Sequence, residues 1–496
     1  MGDRLLHETA GLCRTCKVAV PARVVARETG TREEVVLTKA CATHGAAEVV
    51  LSDDADWYER TRAIEAVAEP PSSPRPVLHG CPFDCGPCTS HSQRPRLPVI
   101  TITSACNLDC PICYVHNKNT GAYHMSLPEL RQVLEHLHRD RGEIDIVNLT
   151  GGEPTVHPDL CAMVDACRDA GVRRVTICTN GLRLAKDEAL VRRLADLGAR
   201  VALSFDSFGT EANHTLQGAN LLPLKLACLD LLEKHGVDTT LIPVMTRGVN
   251  DGEIGEVLRF ALARGNVRHV EIHTITYTGQ GGASFDRSGR ISMREVLARL
   301  AEQTGILGID DFVPSPRAHP LCYQIAYLLV DPAGGAPVPL TRLVDRTTLR
   351  ACLADHLYLE PSPELEVAIG EALDRVWAEG GDDAPRILAL VKRLLLRMFP
   401  PGRSVDRAEA LAIGEDAFKA IYVHSHMDED TFDVERVAAC CDSNCYPDGS
   451  TIPVCASNVL YRETEEHFML KPVAWSTRLE GRAPSGARFP LRVAGS

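Results

Sequence analysis

Between about residues 95 and 305 the chain alternates short apolar runs with longer stretches in which apolar residues recur every three to four positions. Gly, Asn, Asp and Pro separate them. The short runs predict strands at 97–103, 144–149, 173–178, 199–205, 239–245 and 268–276. Helical spacing fills the gaps, as from Leu127 to His138 behind a Ser126 cap, and from Leu184 to Leu197. Strand and helix in alternation call for a parallel sheet covered by helices. Six such units over residues 95–305 suit an α/β fold of the partial (β/α)6 barrel type, with a doubly wound open sheet as the alternative.

The flanking segments read differently. Residues 1–68 contain an alternating run from Val18 to Val25, a second strand-like run from Glu34 to Leu37, and two knuckles, Cys13-Arg-Thr-Cys16 and Cys41-Ala-Thr-His44-Gly45. Knuckles carried on a hairpin predict a rubredoxin or zinc-ribbon-like module in which Cys13, Cys16, Cys41 and His44 surround one zinc or iron. The bland alternative is three buried thiols and an exposed histidine. Residues 69–94 hold a proline-rich linker, Glu69 to Pro76, and then His79-Gly-Cys81-Pro-Phe-Asp-Cys85-Gly-Pro-Cys88. Residues 306–496 predict a hairpin of Gln324–Val330 and Ala336–Val344 about Pro332-Ala-Gly-Gly335, helices near 363–380 and 386–399, and a thiol-rich C-terminal auxiliary iron–sulfur region. The helix from Arg386 to Phe399 has a broad apolar face and carries Lys392, Arg393 and Arg397 elsewhere. It reads as a core helix, although peripheral contact with an anionic membrane surface would use the same pattern.

The chemistry concentrates in Cys106-Asn-Leu-Asp-Cys110-Pro-Ile-Cys113, directly after the first barrel strand. Three thiolates on one short loop hold three irons of a four-iron cluster and leave the fourth open to a ligand that is not protein. A structural zinc loop is the alternative, but its nearest further ligand, His116, is too close to close a tetrahedron. Gly151-Gly152-Glu153-Pro154 follows the second strand, where parallel sheets bind ligands. Later strand ends bring Thr179-Asn180-Gly181, Ser204 with Asp206, and His273 with Thr276 and Tyr277 to the same face.

Nineteen cysteines change the picture further. The amino terminus lacks an apolar signal region, so the chain is expected to be cytoplasmic, where thiols stay reduced and clusters of them bind metal. Cys161, Cys167, Cys178 and Cys228 fall at apolar positions of barrel elements and read as core, and Cys352 is set aside. Eight thiols remain: Cys81, Cys85, Cys88, Cys322, Cys440, Cys441, Cys445 and Cys455. They would complete two further four-cysteine clusters, the first anchored by Cys81, Cys85 and Cys88. The net charge of −13 argues against nucleic acid as a partner.

The cysteine spacing and the Gly-Gly-Glu segment resemble the radical S-adenosylmethionine (SAM) superfamily. That resemblance implies a catalytic cluster on Cys106, Cys110 and Cys113 that cleaves SAM to a 5'-deoxyadenosyl radical. It also implies that Gly151, Gly152 and Glu153 hold the SAM amino group, with Asn180 and Ser204 toward its ribose and carboxylate and Asp206 and His273 in the same set. Ile112 departs from the aromatic residue usual there. The knuckles, the Cys81 loop, Cys322, Pro339-Leu-Thr-Arg-Leu-Val-Asp345, Asp433-Val-Glu-Arg-Val, Pro447-Asp-Gly and Ile452-Pro-Val-Cys455 resemble archaeal tetraether lipid synthase and its relatives. This implies three 4Fe-4S clusters, one mononuclear iron or zinc, and a reductase, flavodoxin or ferredoxin as electron donor. It further implies carbon–carbon bond formation on a lipid-like or apolar substrate. The alternatives are methylation of a small heterocycle such as a pterin, and a non-catalytic iron–sulfur scaffold. Cys445 and its surroundings, Asp442-Ser-Asn-Cys445-Tyr, depart from the lipid-enzyme pattern.

Overall fold

The computed structural model describes residues 2–462 apart from 73, 75, 78, 79, 87, 116–121, 332, 333, 355–358, 361 and 381–383. His79, His116 and the first half of the expected turn at Pro332-Ala333 lie outside the described residues.

Four antiparallel strands open the chain: β1 (Arg4–Leu12), β2 (Ala19–Thr29), β3 (Arg32–Cys41) and β4 (Gly45–Ser52), paired in sequence order. Sequence patterning found only the middle two. In β1 and β4 most side chains are exposed or half-buried, so no apolar alternation marks them. The helix Ala55–Arg62, capped by the Asp54 carboxylate, lays Trp57 and Tyr58 onto this sheet's buried face.

The second sheet is built on parallel strands β5 (Leu97–Thr103), β6 (Ile146–Gly151), β7 (Arg174–Thr179), β8 (Arg200–Ser204), β9 (Thr239–Ile242) with its short continuation β10 (Val244–Met245), and β11 (Val267–Thr274). These match the six expected strands to within a few residues. Side chains alternate across each strand. Val147, Leu149, Val175, Ile177, Val201, Leu203, Leu241 and Ile272 are fully buried beneath the helices. Their neighbours Asn148, Thr176, Ala202, Thr240 and Glu271 face a cavity of about 90 Å³ on the other side. The concave face is therefore polar, and this is what makes the half-barrel a container. Helix Leu127–Arg141 begins at Ser126 as expected, with a capping box to Glu129. The expected helix from Leu184 starts only at Glu188, because the Asp187 carboxylate accepts from Leu190 N and fixes the first turn there.

The C-terminal region does not stand apart from the barrel. Strands β12 (Val313–Pro314), β13 (Tyr323–Leu329), β14 (Val338–Pro339), β15 (Phe418–His424), β16 (Asp442–Cys445) and β17 (Thr451–Pro453) extend the same sheet at both ends. Beyond β11, β15 pairs in parallel and β13 antiparallel to it; beyond β5, β16 pairs in parallel and β17 antiparallel. The two flanks meet where the Tyr323 hydroxyl donates to Asp442. The expected hairpin is present as β13 and β14, with its second arm reduced to two residues before a 3-10 turn. Helices Pro363–Glu379 and Ala384–Met398 form a second core with Leu340, Leu349 and Phe418. Among the described residues no helix is long and apolar enough to cross a membrane.

Candidate active site

The loop of Cys106, Cys110 and Cys113 leaves the end of β5 and is held from two sides. On one side Gly152 N donates to Thr103 O (2.9 Å) and Glu153 N to Ala105 O (2.8 Å). A Cβ on Gly151 would come 2.1 Å from Thr103 O, and one on Gly152 2.3 Å from Ala105 O. The two glycines are thus required by close approach to the chain's own backbone at the root of the cysteine loop. On the other side the short helix Gly279–Ser284 lies against the loop's far end: Gly281 N donates to Cys113 O (2.8 Å) and Gln280 Nε2 to Asp109 Oδ1 (2.8 Å). A Cβ on Gly279, whose φ is +59°, would meet Tyr114 O at 2.4 Å. Sequence reasoning missed this second clamp, although its run of three glycines in four residues after a strand was the available signal.

Glu153 is 1% exposed and spends its carboxylate on the scaffold. Oε1 accepts from Thr155 N, Thr155 Oγ1 and Thr179 Oγ1, and Oε2 from Asn180 N, at 2.6–2.9 Å. It therefore locks the end of β7 to the Gly-Gly turn. Asn180 in turn donates through Nδ2 to Asn107 Oδ1 in the cysteine loop (2.7 Å). Ser204 accepts from Lys225 Nζ at both its hydroxyl and its carbonyl (2.7 Å each). Asp206 is buried, accepts from Val244 N (2.9 Å) and Gln217 Nε2, and has its carboxyl pushed up by burial. Lys225, buried at this strand end with its pKa lowered by desolvation and partly restored by Asp206, was not singled out from the sequence. It lies on a leucine-rich helix whose pattern conceals it. Cys178, expected in the core, instead points into the half-barrel: it is half-buried, and burial of the thiol, with the Glu271 and Glu153 charges adding to it, raises its pKa.

The thiols fall into groups. Burial, with the Glu153 and Cys113 charges beside it, pushes Cys106 up to about 11, and burial with Cys113 and Cys106 pushes Cys110 up as well, so these two thiols need a metal's charge to ionise. Cys13, Cys16, Cys41 and His44 bring their ligand atoms within 4.8 Å of one another, including Cys16 Sγ to Cys41 Sγ at 3.8 Å and Cys13 Sγ to His44 Nδ1 at 3.5 Å. That donor set fits one tetrahedral metal. Backbone N–H groups around Thr43 and the His44 ring lower Cys41 to about 6. Cys81, Cys85 and Cys88 also sense one another, beneath Tyr461. Cys322, Cys440, Cys441 and Cys455 line a single cavity with Arg436, whose Nε donates to Cys322 Sγ (3.3 Å). Cys445, expected among these ligands, is not brought to them. It lies on β16 against the main core, its thiol 3.4 Å from Ser443 O, and lines a different cavity with His136. The donor sets otherwise suit the iron–sulfur and mononuclear sites expected of them.

A radical SAM superfamily model matches residues 100–261, the segment that carries the cysteine loop, the Gly-Gly-Glu turn and the polar strand ends. This is a radical SAM enzyme. A model described as the HMPTM N-terminal zinc ribbon domain matches residues 5–53 of the same enzyme. The radical SAM chain is similar to a 7,8-dihydro-6-hydroxymethylpterin dimethyltransferase of Methanocaldococcus jannaschii, at 29% identity over 94% of this chain and 96% of the relative. It is also similar to a probable GTP 3',8-cyclase of Sulfolobus acidocaldarius, at 27% identity over 47% of this chain and 70% of that one. Among solved structures, Streptococcus suis SuiB bound to S-adenosylmethionine is 19% identical over 42% of this chain and 44% of its own, with a TM-score of 0.33. A radical SAM methyltransferase from Sphaerobacter thermophilus is 18% identical over 57% of this chain and 73% of its own, with a TM-score of 0.31. The near full-length relative carries the name of the alternative weighed from sequence, pterin methylation, and not that of a lipid synthase.

Proposed function

We propose that this radical SAM enzyme transfers one-carbon units to a carbon of a small, pterin-like heterocycle. The observation that carries the reading is the match to the pterin dimethyltransferase along nearly all of both chains, beside the zinc ribbon domain at residues 5–53. The polar concave face supports it. Asn148, Thr176, Thr240 and Glu271 offer donors and acceptors suited to a heterocycle's ring edge, and Arg96, Arg200 and Arg268 line the same cavity nearer the strand starts.

Cys106, Cys110 and Cys113 would hold the catalytic cluster, which when bound supplies the electron and the open iron that cleave SAM to methionine and a 5'-deoxyadenosyl radical. The chain's own residues do the positioning. Glu153 fixes Asn180 at the rim of the cysteine loop, and Lys225 fixes the end of β8 through Ser204. The flanks β13 and β16 close one side of the half-barrel against water through Tyr323 and Asp442. Cys81, Cys85 and Cys88, and the cavity of Cys322, Cys440, Cys441 and Cys455, are assigned to two auxiliary clusters, and Cys13, Cys16, Cys41 and His44 to a mononuclear zinc or iron. The cycle requires an external low-potential electron donor.

One observation favours the second reading, carbon–carbon coupling on a lipid-like substrate. Among the described residues, Val367, Trp377, Leu396 and Phe399 are exposed large apolar side chains on or beside one helical pair, Trp377 at 79%. Anaerobically reconstituted enzyme, given dithionite, methyl-labelled SAM and 7,8-dihydro-6-hydroxymethylpterin, separates the two. Expected are 5'-deoxyadenosine and a pterin heavier by one or two methyl groups. Deoxyadenosine formed with an unchanged pterin, but with coupled chains when lipid is supplied, would overturn the methylation reading.

A further inference from the structure

Inside the half-barrel three imidazoles converge that the reading above does not use, and two of them, His424 and His426, line the same cavity as Cys322 and Cys455. His273 is the last residue but one of β11, His424 ends β15, and His426 follows two residues later; one ligand nitrogen from each lies within 4.8 Å of the other two. The ring centroids are 3.8 Å apart for His424 and His426, 5.1 Å for His273 and His426, and 5.2 Å for His273 and His424. Each ring also has a partner on its outer side. His273 Nε2 is 3.1 Å from Glu271 Oε1, His424 Nε2 is 3.6 Å from Asp442 Oδ2 and its Nδ1 3.6 Å from Glu271 Oε1, and His426 Nδ1 is 3.7 Å from Cys455 Sγ. His273, with Nε2 on a carboxylate, and His426, with Nδ1 toward a sulfur, are oriented as metal-binding histidines characteristically are, the other nitrogen left for the metal, and the buried Nδ1 of His424 makes no hydrogen bond among the described residues.

The charge balance points the same way. Glu271 and Asp442 are two carboxylates within one polar enclosure, with side chains 23% and 5% exposed. Among the described residues neither forms an ion pair with a lysine or arginine; their ionic partners are these imidazoles. A cation among the rings would compensate carboxylates so enclosed, beside the hydrogen bond that Asp442 already accepts from Tyr323.

We propose that His273, His424 and His426 bind one divalent metal ion of borderline softness, zinc or ferrous iron, inside the half-barrel, oriented by Glu271 and Asp442. Three imidazoles leave a tetrahedral ion one position for water or for a nitrogen or oxygen of a bound molecule. The site draws its ligands from β11, from the last residue of β15 and from the turn after it, so it forms only when the C-terminal flank is docked on the barrel. It is separate from the ribbon at Cys13 and does not depend on the methylation reading.

Full-length, anaerobically reconstituted protein tests it in two ways. Crystals soaked in zinc and measured at the zinc edge should show one anomalous peak at the ribbon and a second among the three rings. A ribbon peak with none at the rings would overturn the proposal. In solution His273→Gln and His424→Gln should each lower bound zinc by one equivalent while the cobalt-loaded ribbon keeps its thiolate charge-transfer band. Unchanged zinc in both variants would overturn it. So would a His426→Gln variant that alters the iron–sulfur electron paramagnetic resonance signal without losing zinc, because that ring would then be a cluster ligand.

Discussion

At the scale of single residues, the Gly-Gly-Glu turn acts through steric necessity and hydrogen bonding within the protein. Gly152 donates to Thr103 O from a position where a Cβ would fall 2.3 Å from Ala105 O, against backbone that cannot turn aside as a flexible side chain would. Gly152→Ala must therefore move either β6 or the root of the cysteine loop, at a cost of about 1–3 kcal/mol. The expected outcome is at least a tenfold loss of SAM affinity in equilibrium dialysis, with ribbon metal content unchanged. Gly252→Ala, at a position with open space around it, should bind as wild type. Equal affinities in both variants would show that the loop's root tolerates the displacement. The sequence made the importance of this turn legible, but not its cause. The resemblance implies that the glycines hold the SAM amino group, and the backbone they approach is the chain's own, at Thr103 and Ala105.

At the scale of elements, legibility followed burial pattern. The six parallel strands were readable because each buries an apolar row on one face and bounded it with turn residues, and Ser126 marked a helix start because Glu129 completes its capping box. β15 was missed because Phe418–His424 is buried at nearly every position and follows helix Arg407–Ala417 without a break, leaving no alternation to detect. β16, four residues long, was missed for the same reason, and with it the placement of its thiols. Counting cysteines could not show that Cys440 and Cys441 enter the Cys322 cavity from just ahead of β16 while Cys445, at its far end, turns to the core. Cys445→Ser should accordingly leave iron per reconstituted chain unchanged. Cys440→Ser or Cys455→Ser should lower it by as much as one auxiliary cluster. Equal iron loss in Cys445→Ser would mean that β16 presents the wrong edge to the cavity.

At the scale of the whole molecule, the C-terminal region is joined to the barrel by charge as well as by strand pairing. Glu415, at the end of helix Arg407–Ala417, accepts from Arg174 Nη2 (2.8 Å) on β7 and from Arg200 Nη2 (2.6 Å) on β8, while Arg174 and Arg173 also engage Asp145 and Glu360. This network crosses the sheet at the strand starts, opposite the cysteine loop. The two guanidinium groups overcome the effect of burial and hold the Glu415 carboxyl at about 2. In the unfolded chain the same carboxyl returns to about 4.3. Its folded pKa is the lower one, so its stabilisation is complete above about pH 4.3 and is lost as pH falls toward 2; the full contribution is roughly 3 kcal/mol. Glu415→Gln leaves two guanidinium groups without that charge and should lower unfolding free energy at pH 7 by an amount of that order. The gap between wild type and variant should narrow steadily from pH 5 to pH 3 in urea titrations run side by side, a comparison in which acid damage to metal sites affects both proteins alike. A gap that stays constant across that range would show that Glu415 supports the junction by packing and not by charge. Docking of this region carries β15 into register with β11 and so brings His424 and His426 to His273, which means the same variant should also weaken zinc binding at the three-histidine site if the junction loosens.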